Sequence, residues 1–277
     1  MKLKGYVIGS LMFGLLATPF GGGQFWGSAA AMAAEKTLET TELKVASLEV
    51  PKGADLDKLL RTQTANPEAV QKDAVKEQKT YNLKLNTKDY TKTSMQVDGQ
   101  TVAFRVYADR VYVSRPIDEK KKKMTIYVPE AYFTGKSIQG YTAKTAPIFL
   151  PNGVGGYMPG EVLQPGADIR HGFEANAVLT ALSKGYVVAA PAIRGRTLQA
   201  ADGSYTGKAP ALIVDYKAAV RYLRYNKDRL PAGDTEKIIS NGTSAGGALS
   251  ALLGATGNSK DYEPYLREIG AAEERDD

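Results

Sequence analysis

The pentapeptide Gly242-Thr243-Ser244-Ala245-Gly246 constrains this chain more than any other feature, because of what flanks it. The apolar run 237–240 precedes it, and a stretch of mostly small residues, 246–253, follows. With 28 glycines in the sequence, a bare G-x-S-x-G pattern arises readily by chance. A strand before it and a helix after it make the setting of a strained strand-to-helix turn. Such a turn lifts the serine to the carboxyl edge of a sheet, where open α/β folds bind ligands. Side chains two residues before and two residues after would meet the crossing strand and helix, so Gly242 and Gly246 suit those structural places. The helix start beneath favours developing negative charge. Ser244 is therefore the candidate nucleophile. The plainer alternative is a glycine-rich turn with a capping serine. Asn241-Gly242-Thr243 also fits an N-glycosylation acceptor, which an elbow would bury.

The rest of the chain falls into two textures. Residues 81–85, 95–97, 101–107, 110–113 and 124–128 alternate apolar with polar or read as short strands, and Asp98-Gly99 is a strong hairpin turn. This predicts an antiparallel meander. The basic run 120–123 before the last of these strands reads as a solvated hairpin turn. From Ala146 onward, short apolar runs at 148–150, 186–190 and 237–240 alternate with helical spacing at 174–184, 209–225 and 246–253. Buried strands alternating with helices predict a parallel sheet covered on both faces, an α/β architecture.

Asn152-Gly153-Val154-Gly155-Gly156-Tyr157 follows the first of those buried runs. A glycine-rich loop there brings backbone N–H groups beside a nucleophile, as the H-G-G-G-type loops of lipases and esterases do, with asparagine here where histidine is usual. The N–H of Ala245 is one candidate oxyanion donor, and Val154 or Gly155 supplies the other; such donors contribute several kcal/mol at the transition state, roughly 3–4 for one. A plain surface turn is the alternative. A phosphate loop is disfavoured, since no Lys-Ser/Thr pair follows. Tyr157 is a candidate for the substrate rim or for packed core. Arg194 and Arg196 follow the 186–190 run, and either steer a carboxylate or phenolate substrate at the rim or brace the loop through Asp215 or Asp202. The single histidine, His171, lies after Pro165-Gly166 and reads as a surface residue.

Composition narrows the classes. There is no cysteine, which removes disulfides, thiolate metal sites and cysteine nucleophiles; no metal site is expected. The net charge of +6 is spread along the chain without a basic stripe interleaved with aromatics, so nucleic acid is not an expected partner. Lys2 and Lys4, the apolar stretch 6–20 and Ala31-Met32-Ala33 fit an export leader. The apolar stretch is shorter than the about 20 residues a membrane span needs. The expected organisation is a signal peptide over 1–33, a polar linker with short helices over 34–80, and one domain over 81–277. The expected location is secreted, periplasmic or in the cell envelope, with no membrane association after cleavage. The oligomeric state stays open.

With these motifs placed, a resemblance emerges. The segment 149–157, the run 182–191 with Arg194-Gly195-Arg196, the helix 213–224 and the segment 239–247 resemble the bacterial tannase family, over roughly residues 80–277. The elbow and helix are shared with many carboxylesterases; the Asn-Gly-Val-Gly-Gly loop and the Arg-Gly-Arg turn point more narrowly. The resemblance implies an α/β-hydrolase fold, a doubly wound, mostly parallel sheet with an N-terminal antiparallel meander, incomplete at its C-terminus. It further implies hydrolysis of galloyl or related aryl esters, a small-molecule ester substrate, a Ser-His-Asp triad and no cofactor. One departure is large. Only 33 residues follow Ser244, while the family's acid and histidine come later than the serine. The chain therefore reads as the N-terminal part of such a hydrolase, inactive by itself. The alternative is a non-catalytic binding module or fragment of the same fold; a peptidase of the prolyl-oligopeptidase type is weaker.

Overall fold

A computed structural model describes residues 79–273. The expected leader, its cleavage between Ala33 and Ala34, and the polar linker up to residue 78 lie outside the described residues. No helix among the described residues is long and apolar enough to cross a membrane.

A six-stranded mixed sheet organises the described residues. Strands β1 (Thr91–Val97) and β2 (Gln100–Val111) form a hairpin whose two-residue loop is Asp98-Gly99, both at positive φ (50° and 72°). That is the backbone an Asp-Gly turn supplies. The expected strands 101–107 and 110–113 are one strand, bent by a bulge between Tyr107 and Arg110 where Asp109 has φ 57°. The chain passes through a 3-10 turn (Glu119–Lys122) into β3 (Lys123–Pro129), antiparallel to β2, and then a second 3-10 turn (Glu130–Thr134). Next come β4 (Pro147–Pro151), helix α1 (Ala177–Ser183), β5 (Val187–Pro191), helix α2 (Ala211–Tyr225), β6 (Asp234–Asn241), helix α3 (Ala245–Thr256) and helix α4 (Glu263–Glu268). The order across the sheet is β1-β2-β3-β5-β4-β6. The meander joins the other half through the antiparallel pair β3–β5, and β4 is parallel to both β5 and β6. This is the expected meander leading into a parallel sheet of α/β-hydrolase type.

Both faces are covered. Ile148 and Leu150 of β4, with Val187 and Ala189 of β5, pack on the face that carries α2, α3 and α4. Phe149, Val188 and Ala190 point the other way, onto α1. A period of two with apolar residues on both faces explains why these strands read as unbroken apolar runs. The Ile, Leu, Val and Phe side chains among them contribute about 1.5–3 kcal/mol each by burial. On α2, Leu212, Tyr216, Ala219 and Leu223 recur at helical spacing and are all buried against the sheet.

Two expectations fail. Residues 81–85 alternate but form no strand. They dock instead through Asn226, which ends α2 fully buried, accepts from the Leu85 N–H at 2.8 Å and donates to the Leu83 carbonyl at 2.9 Å. The run 120–123 is only partly solvated. It is the 3-10 turn leading into β3, capped by Asp118, and it drives Lys122 wholly into the interior.

Candidate active site

The topology brings two loops together. From β4 the chain crosses to β5 on one side, then returns past β4 to β6 on the other. The loops leaving the carboxyl ends of β4 and β6 are therefore neighbours at a switch point, where open α/β sheets place their ligands. They are the glycine-rich loop at 152–157 and the turn carrying Ser244.

Ser244 stands between β6 and α3 with φ 54° and ψ −120°. A non-glycine residue in that region costs of order 1–3 kcal/mol and persists only when its surroundings over-determine it. Here they do. A β-carbon on Gly242 would lie 2.4 Å from the Gly246 carbonyl carbon and oxygen and 2.6 Å from Asn152 Nδ2. One on Gly246 would lie 2.4 Å from Asn152 Oδ1 and 2.8 Å from the Val154 oxygen. Strand end and helix start thus touch backbone to backbone, with no room for a side chain. Inside the turn the Gly246 N–H donates to the Thr243 carbonyl at 2.9 Å, and the Ala248 N–H to the Ser244 carbonyl at 3.0 Å. Ser244 itself is exposed, while Ala245 is buried beneath it at the helix start. The first N–H groups of a helix have no partner within it, so the Ala245 N–H is available beside Oγ. Asn241 is half-buried at the end of β6.

In the sequence Asn152 stands out only for occupying histidine's usual place. In the structure it is a bolt between the two loops. Its Nδ2 donates towards the Asn241 carbonyl (3.0 Å), the Gly246 carbonyl (3.1 Å) and Ser250 Oγ (3.1 Å), and its Oδ1 faces the Val154 N–H at 3.4 Å. Its own N–H donates to the Asn241 carbonyl at 2.9 Å. Behind it the buried Tyr216 hydroxyl donates to the Leu150 carbonyl at 2.6 Å and lies 2.7 Å from Ser240 Oγ, which donates to Ser250 Oγ at 2.7 Å. Burial raises the Tyr216 phenol above its ordinary range, so it stays neutral and able to donate. Short polar side chains on three different elements were the only trace of this network in the sequence.

The two loop candidates for the oxyanion differ. Val154 is buried with its N–H turned towards Asn152 Oδ1; Gly155 is exposed, with open space over its α-carbon. Tyr157 sits on the surface, 50% exposed, at φ 59°, so it is not core. Arg194 is not on a rim. It is 4% exposed and donates through Nε and Nη2 to Asp215 at 2.7–3.1 Å and through Nη1 to the Thr206 carbonyl at 2.9 Å. Lys122 Nζ reaches the same carboxylate, and Asp215 also accepts from the Arg194 N–H at 2.9 Å. Burial draws the Lys122 ammonium down, against the pull of Asp215, to about 8. Asp202, the other proposed brace, caps its own turn at the Ser204 N–H. Arg196 is exposed, and its Nε donates to the Gly156 carbonyl of the glycine-rich loop at 3.0 Å. His171 lies on an exposed hairpin, its Nδ1 2.9 Å from Asp168 Oδ2 and its ring stacked on Phe173.

This geometry is similar to known proteins. A family model described as BD-FAE matches residues 161–276. The tannase of Fusobacterium nucleatum superposes with a TM-score of 0.68 at 56% identity, over 71% of this chain and 41% of that one. The tannase of Lactobacillus plantarum does so with a TM-score of 0.65 at 44% identity, over 71% of this chain and 41% of its own. A tannin acyl hydrolase solved with ethyl gallate matches at 44% identity and a TM-score of 0.63, over 70% and 42%. The chain thus spans about two fifths of the length of these structures. A comparison with curated proteins gives no match.

Proposed function

Because this chain belongs to the bacterial tannase family of the α/β-hydrolases, we propose that it carries the nucleophile and oxyanion donors for hydrolysis of galloyl or related aryl esters. In this reading Ser244 Oγ attacks the ester carbonyl, and the N–H groups of Ala245 and Gly155 receive the developing oxyanion. The alcohol leaves, and water then releases the acid from the acyl-serine. The observation that carries it is the backbone of Ser244, held at φ 54° and ψ −120° with its hydroxyl exposed above the start of α3. The ethyl gallate bound by a matched tannin acyl hydrolase supports the substrate class.

The base is a separate matter. The one histidine in these 277 residues precedes the serine and is engaged with Asp168 on a surface hairpin, and the proposal gives it no part in catalysis. Without a base a serine hydroxyl is a weak nucleophile at neutral pH, so turnover by this chain alone is expected to be slow. The test is therefore a chimera in which residues 81–273 replace the matching part of the F. nucleatum tannase. It should hydrolyse ethyl gallate. Ser244→Ala in it should remove nearly all turnover, roughly 10⁴-fold or more for a member of a unit that acts together, with an unchanged unfolding midpoint. Activity within tenfold of the parent chimera would reject the assignment.

A further inference from the structure

We propose that Asn152 is a positioning residue for the acyl transfer: its side-chain amide holds Ser244 in the backbone conformation that presents Oγ, by bonding the carbonyls on both sides of the elbow. The proposal rests on the acyl-serine reading of Ser244. A strained residue keeps its conformation only while its surroundings hold it there. Asn241, three residues before Ser244, ends β6, and Gly246, two residues after it, lies in the first turn of α3. Asn152 Nδ2 donates to the carbonyl of each, at 3.0 and 3.1 Å. One nitrogen with two hydrogens therefore spans the elbow. The net gain from two such bonds and the strain of one such residue are of the same size, so losing the bonds is enough to let the turn relax. Asn152 is buried, and water does not compete for these carbonyls.

The place needs a short amide. Oδ1 faces the Val154 N–H at 3.4 Å, while Nδ2 faces oxygens: the two carbonyls, Ser250 Oγ at 3.1 Å and the Tyr216 hydroxyl at 3.5 Å. The reversed amide would set oxygen against oxygen and N–H against N–H, so the network fixes its orientation. A carboxylate of the same size only accepts, and would repel both carbonyls. The amide also leaves no slack. A β-carbon on Gly242 would lie 2.6 Å from Nδ2, and one on Gly246 2.4 Å from Oδ1. Behind it the polar contacts close on themselves. Ser250 Oγ of α3 accepts from Ser240 Oγ of β6 at 2.7 Å. Ser240 Oγ lies 2.7 Å from the Tyr216 hydroxyl of α2, which donates to the Leu150 carbonyl at 2.6 Å. Leu150 belongs to β4, the strand that leads into Asn152. The ring thus visits β4, α2, β6 and α3, and Asn152 is the member that reaches both flanks of the serine.

The experiment measures amide exchange in the full 277-residue chain and turnover of ethyl gallate in the chimera carrying residues 81–273. Each is prepared as the parent, Asn152→Asp, Asn152→Ala and Ser244→Ala, and studied well below its unfolding midpoint. The Gly246 and Ala248 N–H groups close the turn onto Thr243 and Ser244. In Asn152→Asp they should exchange about tenfold faster relative to the rest of α3, the scale of one hydrogen bond. Its kcat should fall about 100-fold, the scale of a misplacement near 1 Å. KM should not change, because a displaced Oγ weakens the transition state and not substrate binding. Asn152→Ala should lie between it and the parent, since it removes the bonds without adding repulsion. The reverse order, with Asn152→Asp like the parent and Asn152→Ala impaired, would mean that Asn152 only fills space and would overturn the proposal. So would a kcat like the parent's in both, or a raised KM with unchanged kcat, the mark of substrate contact. If neither variant folds, the side-chain amide of the unsubstituted chain decides: its two protons should be protected from exchange, and free exchange would overturn the proposal. Turnover that survives Ser244→Ala, with elbow exchange still responding to Asn152→Asp, would reject the acyl-serine reading itself and leave a clamp without a catalytic role.

Discussion

Each functional residue here is set by what cannot fit around it. Gly242 and Gly246 are glycine because strand end, helix start and the Asn152 amide fill the space a β-carbon would take. Gly242→Val should therefore differ in kind from Ser244→Ala. The first inserts a branched side chain into backbone and should cost about 1–3 kcal/mol or more through overpacking. The second removes an exposed hydroxyl and should change stability by no more than about 0.5 kcal/mol. Thermal or urea unfolding of both variants checks the contrast; equal destabilisation would mean that the crossing is looser than described. At this scale the sequence showed the elbow plainly, since glycine, serine and glycine at fixed spacing carry the geometry in their own chemistry. It did not show Asn152 as the bolt. Its partners, Asn241, Gly246 and Ser250, lie 89 to 98 residues away and meet it only through the adjacency of β4 and β6.

Among the elements, local signals were read well and distant ones poorly. The Asp98-Gly99 hairpin and the runs that become β4, β5 and β6 needed only neighbouring residues. The alternation at 81–85 looked equally strand-like, but no strand among the described residues pairs with it, and the Asn226 side chain bonds its backbone at Leu83 and Leu85 instead. The lysine run at 120–123 misled for the same reason: its burial depends on Asp215, 93 residues further on. That buried cluster ties the 3-10 turn before β3, the segment after β5 and α2 together with two cations on one carboxylate. Asp215→Asn should destabilise the domain by about 3–5 kcal/mol, because both cations would stay buried without their counter-charge. The cluster also has a pH signature. The folded-state value of Lys122, about 8, is below its ordinary value of 10.5, so the folded state holds fewer protons between the two. Its contribution is full above the ordinary value and falls away as pH drops through about 8. Stability measured from pH 8 to 10.5 should thus gain a rising component that Lys122→Met removes; an identical slope in that variant would contradict the assignment.

For the whole molecule, the sheet explains why a site forms where it does. Three antiparallel strands brace one side, β4 and β6 bring their carboxyl ends together on the other, and the two loops they release are bolted to each other by Asn152. The central claim is that this arrangement makes Ser244, and no other residue, the acceptor of an acyl group. The most direct measurement mixes the chimera carrying residues 81–273 with ethyl gallate, an unactivated ester that lysine amines do not attack at neutral pH, quenches it with acid during turnover, and locates the added acyl group by peptide mass spectrometry. The account predicts one galloyl group, on the peptide containing Ser244 and on that residue within it, and none in Ser244→Ala. A galloyl group on another residue, or equal labelling of the Ser244→Ala chain, would contradict it.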